Sequence, residues 1–366
     1  MTRLTVSGAD MSSRQEQFSG TQSIRDLGKL DVDVLNEYLQ ANIDGYAGPL
    51  TLKKFKGGQS NPTYLLQTPN GEYVMRRKPS GKLLKSAHAV DREFQVMSAL
   101  HAAGFPVPRP YVLCTDESIA GTMFYIMEYV QGRIFWDLDL PSCDPDERAE
   151  IYEQVNLTIA RLHNFDFVEL GLEDFGKPGN YFSRQISRWS GQYKASETGQ
   201  VTDMDRLIEW LPENIPDDES CSIVHGDYRL DNMVIHPTEP RVLAVLDWEL
   251  STIGHPLGDF TYHLMAWQLP DIGIGSAGLK GKDLGKLGIP GEEDYLTAYC
   301  ARTGRAGGIS NRDFYSAYNF FRIAAILQGI AGRVRDGTAA STHADRATRA
   351  VAPLAEMGWQ FALRAS

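Results

Sequence analysis

Three polar side chains stand close together in the stretch I-V-H-G-D-Y-R-L-D-N-M-V-I-H-P-T-E-P-R-V-L-A-V-L-D-W-E, residues 223–249: Asp227, Asn232 and Asp247. An amide oxygen and a carboxylate suit a hard cation such as Mg²⁺, which takes oxygen ligands and keeps waters and substrate phosphates. Asp227 lies five residues before Asn232 in a glycine-containing loop, where it can accept a proton from a substrate hydroxyl. Such a set is the working half of a phosphoryl-transfer site, in which catalysis is mostly positioning plus neutralisation of phosphate charge. Asp is common in turns for its own reasons. A lone Asp would carry that bland reading; three polar groups in this order carry more.

The elements around them explain how they converge. Apolar runs, residues 233–235 and 242–246, meet across the Pro237/Pro240 turn and read as a hairpin. Asn232 just before one strand and Asp247 just after the other then face one point. Upstream, residues 50–56, 63–67 and 73–77 have strand character, and Pro69-Asn70-Gly71 is a turn signal. Between the first two strands lies Gly57-Gly58-Gln59-Ser60-Asn61. Its backbone N–H groups could cover nucleotide phosphates; a plain hairpin turn fits the same residues.

Residues 87–103 read as a helix closed by Gly104, with Val90, Phe94, Met97 and Leu100 as its apolar stripe. Glu93 falls within that stripe. A carboxylate facing the core needs a cation, because an unpaired buried charge is costly. Arg76 and Lys78, on one face of the neighbouring strand, are both available to it.

Residues 122–130 form a continuous apolar run, a buried strand leading into a connection at Gly132. Asp144-Pro145-x-Glu147 is a well-formed helix start, and that helix is expected to run to His163, which reads as structural. His225 reads as a loop anchor rather than a base. On a further helix, residues 181–194, Arg184 and Arg188 stand one turn apart beside Trp189. They make either a solvated basic face or an anion grip. Asp259 is expected to cap a helix over 259–268 or to brace the Asp227 loop. Seven glycines in 271–291 predict a mobile loop, and 319–335 a helix with Phe320, Ile323, Leu327 and Ile330 inward.

The 366 residues suggest about two domains. A net charge of −11, from 36 basic and 47 acidic residues, argues against nucleic acid as the main partner. A local basic pocket for a small anion is still compatible with it. Cys114, Cys143, Cys221 and Cys300 lack a C-x-x-C pair and read as reduced thiols. The polar first 26 residues read as a disordered lead-in without a signal peptide, and no stretch approaches the ~20 apolar residues of a membrane span. A cytoplasmic protein with a small-molecule substrate and no membrane partner is expected; oligomeric state is not legible.

The H-G-D-x-x-x-x-N run resembles the signature of aminoglycoside and choline kinases, and L-D-W-E resembles the metal-binding D-F-G of protein kinases. Further stretches, G-G-Q-S-N-P-T-Y-L-L, S-A-H-A-V-D-R-E-F, R-W-S-G-Q-Y-K-A-S-E-T and R-L-I-E-W-L-P, extend the likeness over nearly all of 27–366. They resemble one branch of the aminoglycoside phosphotransferase superfamily, kinase domains found alone in bacteria and fused to acyl-CoA dehydrogenases in animals. The resemblance implies an α+β, bilobal protein-kinase-like fold. A small lobe over 27–130 would hold an antiparallel sheet plus helix and bind the nucleotide, and a larger, mostly helical lobe over 131–366 would carry catalysis and acceptor.

It further implies ATP and Mg²⁺ as cofactors, with Asp227 as the catalytic carboxylate and Asn232 and Asp247 as metal ligands. Gly57, Gly58, Ser60 and Asn61 would cover the phosphates. Arg76 aligns with the strand lysine of protein kinases, braced by Glu93, although Lys78 stays open for that part. Glu128 and Val130 would offer main-chain groups to the adenine. The implied acceptor is a hydroxyacyl-CoA, and the spacing of Arg184 and Arg188 beside Trp189 makes them the expected grip for its phosphates. A sugar, choline or aminoglycoside kinase and a nucleotide-binding pseudokinase scaffold are the alternatives. A protein kinase is disfavoured, because no A-P-E segment follows Asp247.

Overall fold

A computed structural model describes residues 20–22, 30–56, 61–79, 89–271, 278–336 and 344–365. The chain divides into two compact units. Met1–Trp136 joins Leu230–Leu250 in the first, and Asp137–Arg229 joins Ser251–Ser366 in the second. This differs from the boundary expected at 130/131. Residues 131–136 and the 230–250 hairpin group with the first unit, because Arg133 and Ile235 exchange main-chain hydrogen bonds at 2.7 and 2.8 Å.

In the first unit six strands form one antiparallel sheet: β1 (Thr21–Gln22), β2 (Thr51–Phe55), β3 (Thr63–Thr68), β4 (Gly71–Arg77), β5 (Pro110–Cys114) and β6 (Phe124–Glu128). Their order is β1-β2-β3-β4-β6-β5. The lead-in is thus not wholly without structure, since Thr21 and Gln22 pair with Phe55 and Lys54.

Alternation along β4 separates two jobs. Tyr73 and Met75 join a core with Leu66, Phe124, Ile126 and the Leu35 and Leu39 side chains of the Val32–Asn42 helix. Val74 and Arg76 point the other way, on the face that carries Glu93 of the Val90–Ala102 helix. In register, Arg76 stands opposite Tyr125 of β6, so both can reach one carboxylate.

The second unit is mainly helical. Its long helices are Pro145–His163, Tyr181–Ser196, Thr202–Glu213, Pro256–Gln268, Glu292–Arg302, Arg312–Arg335 and Ala344–Ala365. A two-stranded pair, Ser222–Val224 with Thr252–Gly254, leads into and out of the functional segment. Asp144 caps its helix as expected, its carboxylate accepting the Glu147 N–H at 2.9 Å.

Three expectations need correction. On the Arg312–Arg335 helix Phe320 is buried, but Ile323, Leu327 and Ile330 are only half-buried. The buried face is built instead from small residues, among them Ala324, Ala325, Gly329 and Gly332. A Cβ on Gly332 would lie 2.6 Å from that of Ser196, so glycine there lets two helices approach closely.

The Pro256–Gln268 helix starts a turn earlier than Asp259, with His255 capping it through Leu257 N–H at 3.2 Å. Within 271–291, residues 272–277 lie outside the described ones, but the remainder is packed rather than loose. Leu279 and Ile289 are buried around a short Leu284–Leu287 helix. Its closing Gly288 has φ +74°, and a Cβ there would meet the Pro145 carbonyl. The cysteines Cys114, Cys143 and Cys300 are buried free thiols, and Cys221 is half-buried.

Candidate active site

The first unit gathers charge around one guanidinium. Strands Met233–Ile235 and Val242–Val245 pair with Met233 opposite Val245, and Leu246 N–H donates to the Asn232 carbonyl at 2.8 Å. That register brings Asn232, ending a 3₁₀ turn, to the same hairpin end as Asp247. Asp247 has φ +66°, an uncommon conformation for a residue with a side chain and one held by its surroundings.

Arg76 Nη2 donates to Asp247 Oδ1 at 2.5 Å and lies 3.5 Å from Glu249 Oε2. Its Nε forms an ion pair with Glu93 Oε2 at 3.0 Å. The cation that braces Glu93 is therefore Arg76. Glu93 is fully buried and also accepts from Asn61 Nδ2 and from the Tyr125 hydroxyl, each at 3.0 Å. Asn61 extends to Glu249 Oε2 at 3.4 Å.

Three carboxylates thus share one arginine. Burial would lower the Arg76 pKa, but Glu93 and Asp247 beside it drive it upward. Burial lifts the Glu93 carboxyl, and Asp247 and Glu249 oppose the pull of Arg76, so it sits at about 7. The surplus negative charge and the all-oxygen donor set of Asn232, Asp247 and Glu249 fit a hard cation. Among the described residues no three acid, histidine or cysteine side chains form a complete cage. Mg²⁺ needs none, since it draws its remaining ligands from water and phosphates.

The second unit carries the Asp227 loop. Asp259 accepts the N–H groups of His225 at 2.7 Å and Gly226 at 2.8 Å, one on each carboxylate oxygen. It braces the loop and does not cap its helix. His163 Nε2 stands 3.3 Å from Asp259, with Nδ1 2.7 Å from the Tyr299 hydroxyl, a structural position as expected. Burial would raise the Asp259 pKa, but the hydrogen bond and charge of His163 hold it below the ordinary value. His225 Nδ1 accepts the Asp227 N–H at 3.1 Å, which makes it the loop anchor anticipated and puts any ring proton on Nε2.

The Asp227 side chain is 23% exposed, enough for a substrate atom to reach it. The Tyr262 hydroxyl donates to its Oδ1 at 2.5 Å, and Arg229 Nε lies 3.2 Å from the same oxygen. Burial raises its pKa, yet Arg229, the Tyr262 hydrogen bond, His225 and Arg322 outweigh that and hold it below the usual carboxylate value. Asp227 is ionised at neutral pH.

Gly57, Gly58 and Ser60 fall outside the described residues. Glu128 spends its N–H on the Arg109 carbonyl at 2.8 Å, and its carboxylate accepts the Arg109 N–H at 3.1 Å. Val130 is half-buried just beyond β6. Arg184 donates to the carbonyls of Gly179 and Lys177, fastening the loop before its helix. Arg188 is exposed and lies 5.1 Å over the Trp189 ring. Trp189 itself is buried, and Arg322 approaches it at 5.8 Å. Arg184 and Arg188 therefore serve different partners.

Sequence reasoning missed Glu249, Tyr125, Arg229, Tyr262 and Arg322. Glu249 had a signal, an acid two places after Asp247. Tyr262 and Arg322 had none, because they come from distant helices.

A family model described as the APH phosphotransferase enzyme family matches residues 51–281. Mouse acyl-CoA dehydrogenase family member 10 is 44% identical over 345 residues, covering 94% of this chain but only 32% of that relative. The crystal structure of a provisionally named aminoglycoside phosphotransferase from Ralstonia eutropha JMP134 has 51% identity and a TM-score of 0.84, covering 91% of this chain and 98% of that one. A choline kinase from Cryptosporidium parvum Iowa II, at 14% identity, has a TM-score of 0.57 over 92% of this chain and 95% of its own, a likeness of fold alone. The antiparallel sheet of one unit and the helices of the other are those of the protein-kinase-like fold. With the family model, the two close relatives and the HGD loop agreeing, the chain belongs to the phosphotransferase enzyme family and is a kinase that uses an alcohol group as acceptor.

Proposed function

We propose that this chain transfers the γ-phosphate of ATP to a hydroxyl on the acyl chain of a hydroxyacyl-CoA. The observation that carries the reaction is the half-buried, ionised Asp227 held by Tyr262 and Arg229 on a loop braced by Asp259. Asp227 accepts a hydrogen bond from the acceptor hydroxyl and aims its oxygen in line. The new bond joins that oxygen to the γ-phosphorus as the bond to the β,γ-bridging oxygen breaks, ADP departs, and the hydroxyl proton passes to Asp227. A carboxylate with a depressed pKa is a weak base, so the proton arrives late, as a loose transition state requires.

Asn232 and Asp247 would hold Mg²⁺, which supplies neutralisation of phosphate charge. Arg76, fixed by Glu93, is the cation for the α/β-phosphates, with residues 57–61 as their cover. The main chain at Glu128 and Val130 receives the adenine; at Glu128 the N–H is already committed.

The acyl-CoA class is supported by the name of the mouse relative, an acyl-CoA dehydrogenase family member that this chain matches over about a third of its length. The exposed Arg188 is the side chain offered to the acceptor's phosphates. The name of the Ralstonia neighbour favours a second reading, an aminoglycoside acceptor. A phosphate-transfer screen of the purified protein against hydroxyacyl-CoAs, sugars, choline and aminoglycosides separates them. Transfer to a 4-hydroxyacyl-CoA well above all others is expected, and preference for a neutral or cationic acceptor would overturn the proposal.

A further inference from the structure

Tyr262 lies on the Pro256–Gln268 helix one turn beyond Asp259. That spacing puts both side chains on one helix face, and both act on the same loop. Asp259 holds the N–H groups of His225 and Gly226; Tyr262 donates to Asp227 Oδ1 at 2.5 Å. Arg322, from the Arg312–Arg335 helix, lies 5.1 Å over the Tyr262 ring and donates Nη2 to the Gly226 carbonyl at 2.6 Å. It also lies 5.8 Å over the Trp189 ring. The phenol is buried, and burial together with Asp227 raises its pKa, so it donates as a neutral hydroxyl.

A carboxylate turns easily about its last torsion, whose preference is broad. A short bond from a fixed donor to one oxygen stops that rotation. Arg229 Nε also lies 3.2 Å from Asp227 Oδ1, but its side chain is 46% exposed, whereas the Tyr262 phenol is buried and fixed. We propose that Tyr262 is a positioning residue for phosphoryl transfer, setting the rotation of the Asp227 carboxylate, and that Arg322 holds Tyr262 in place. This rests on Asp227 being the group that meets the acceptor hydroxyl. Trp189 then has a part in the reaction different from the one its sequence suggests. It lies against Arg322, which in turn packs over the Tyr262 ring.

Tyr262→Phe and, as a control, Asp227→Asn in the full chain test this. The readouts are phosphorylation of a 4-hydroxyacyl-CoA and Mg-ATP hydrolysis with water as acceptor. For Tyr262→Phe, kcat falls about tenfold or more, the scale of a hydrogen bond to a charged group. The KM for ATP is unchanged. The acid limb of kcat/KM moves to higher pH, because Asp227 loses a donor to its ionised form while Arg229, His225 and Arg322 still face it.

A purely structural role would leave that limb in place. An inactive Asp227→Asn beside a Tyr262→Phe with wild-type kcat and an unmoved limb overturns this inference alone. An active Asp227→Asn removes the reading of Asp227 on which it rests, and this inference with it. Should Tyr262→Phe fail to fold, 3-fluorotyrosine in place of Tyr262, a more acidic and stronger donor of nearly the same shape, shifts the limb to lower pH. An unmoved limb there contradicts the proposal.

Discussion

Replacing Glu93 by Gln tests the shared-guanidinium arrangement without any substrate. Glu93 is fully buried, and Arg76, the cation paired with it, is divided among Glu93, Asp247 and Glu249. Burial raises its carboxyl from 4.5 to about 7, with Asp247 and Glu249 adding to the rise and Arg76 opposing it. The folded state therefore binds this proton more tightly than the unfolded chain does. The stability that this contributes is complete below about pH 4.5, is lost as pH rises, and is gone above about 7. At 1.36 kcal/mol per pH unit the loss is on the order of 3 kcal/mol.

Gln does not titrate. It keeps one acceptor for Asn61 or Tyr125 but turns an NH₂ toward donors, at a cost of about 1–3 kcal/mol. Wild type should thus be the more stable at pH 5, and its advantage should shrink or reverse by pH 8. Urea unfolding at pH 5, 6, 7 and 8, with EDTA present to exclude divalent ions, measures this. A difference that stays constant, or that grows with pH, would refute the reasoning, because the ionised pair would then be stabilising.

Asp259→Asn keeps one acceptor where His225 and Gly226 need two. It should cost about 2–4 kcal/mol of stability and lower kcat by loosening the Asp227 loop; an unfolding midpoint and kcat equal to wild type would contradict this. Asp247→Ala and Asn232→Ala should both weaken Mg²⁺-dependent nucleotide binding, Asp247→Ala more, since it alone removes charge. Titration of Mg²⁺ at fixed ATP checks this, and wild-type dependence in both would exclude the hairpin as the metal site. Arg184→Ala should cost about 1 kcal/mol of stability by freeing the Lys177–Gly179 loop, with the acceptor KM unchanged, whereas Arg188→Ala should raise the acceptor KM and spare that for ATP. Equal effects from the two variants would mean that both arginines meet the same ligand.

Much of this was legible because the informative features are local. The 233–246 hairpin, the cap at Asp144 and the buried carboxylate of Glu93 each follow from spacing within a few turns or strands. Strand alternation left Arg76 and Lys78 level as partners of Glu93, and the register opposite Tyr125 decides it, which depends on β6 some fifty residues away. The face of the Arg312–Arg335 helix was misread because its packing is set by how closely Ser196 approaches Gly332, and hydrophobic periodicity favours large side chains. Tyr262 and Arg322 could not be found in advance, since a tyrosine and an arginine on separate helices gain meaning only when the chain brings them to Asp227.

The most direct test of the account is the turnover of Asp227→Asn beside its affinity for Mg-ATP. Asn is close to Asp in size and retains an acceptor for the Tyr262 hydroxyl, so the loop should keep its form. It cannot take the acceptor's proton. The account predicts Mg-ATP affinity near that of wild type and a kcat lowered by ~10²–10⁴-fold. A variant that keeps more than about a tenth of wild-type kcat, or that loses Mg-ATP binding together with activity, would contradict the assignment of Asp227 to the acceptor hydroxyl.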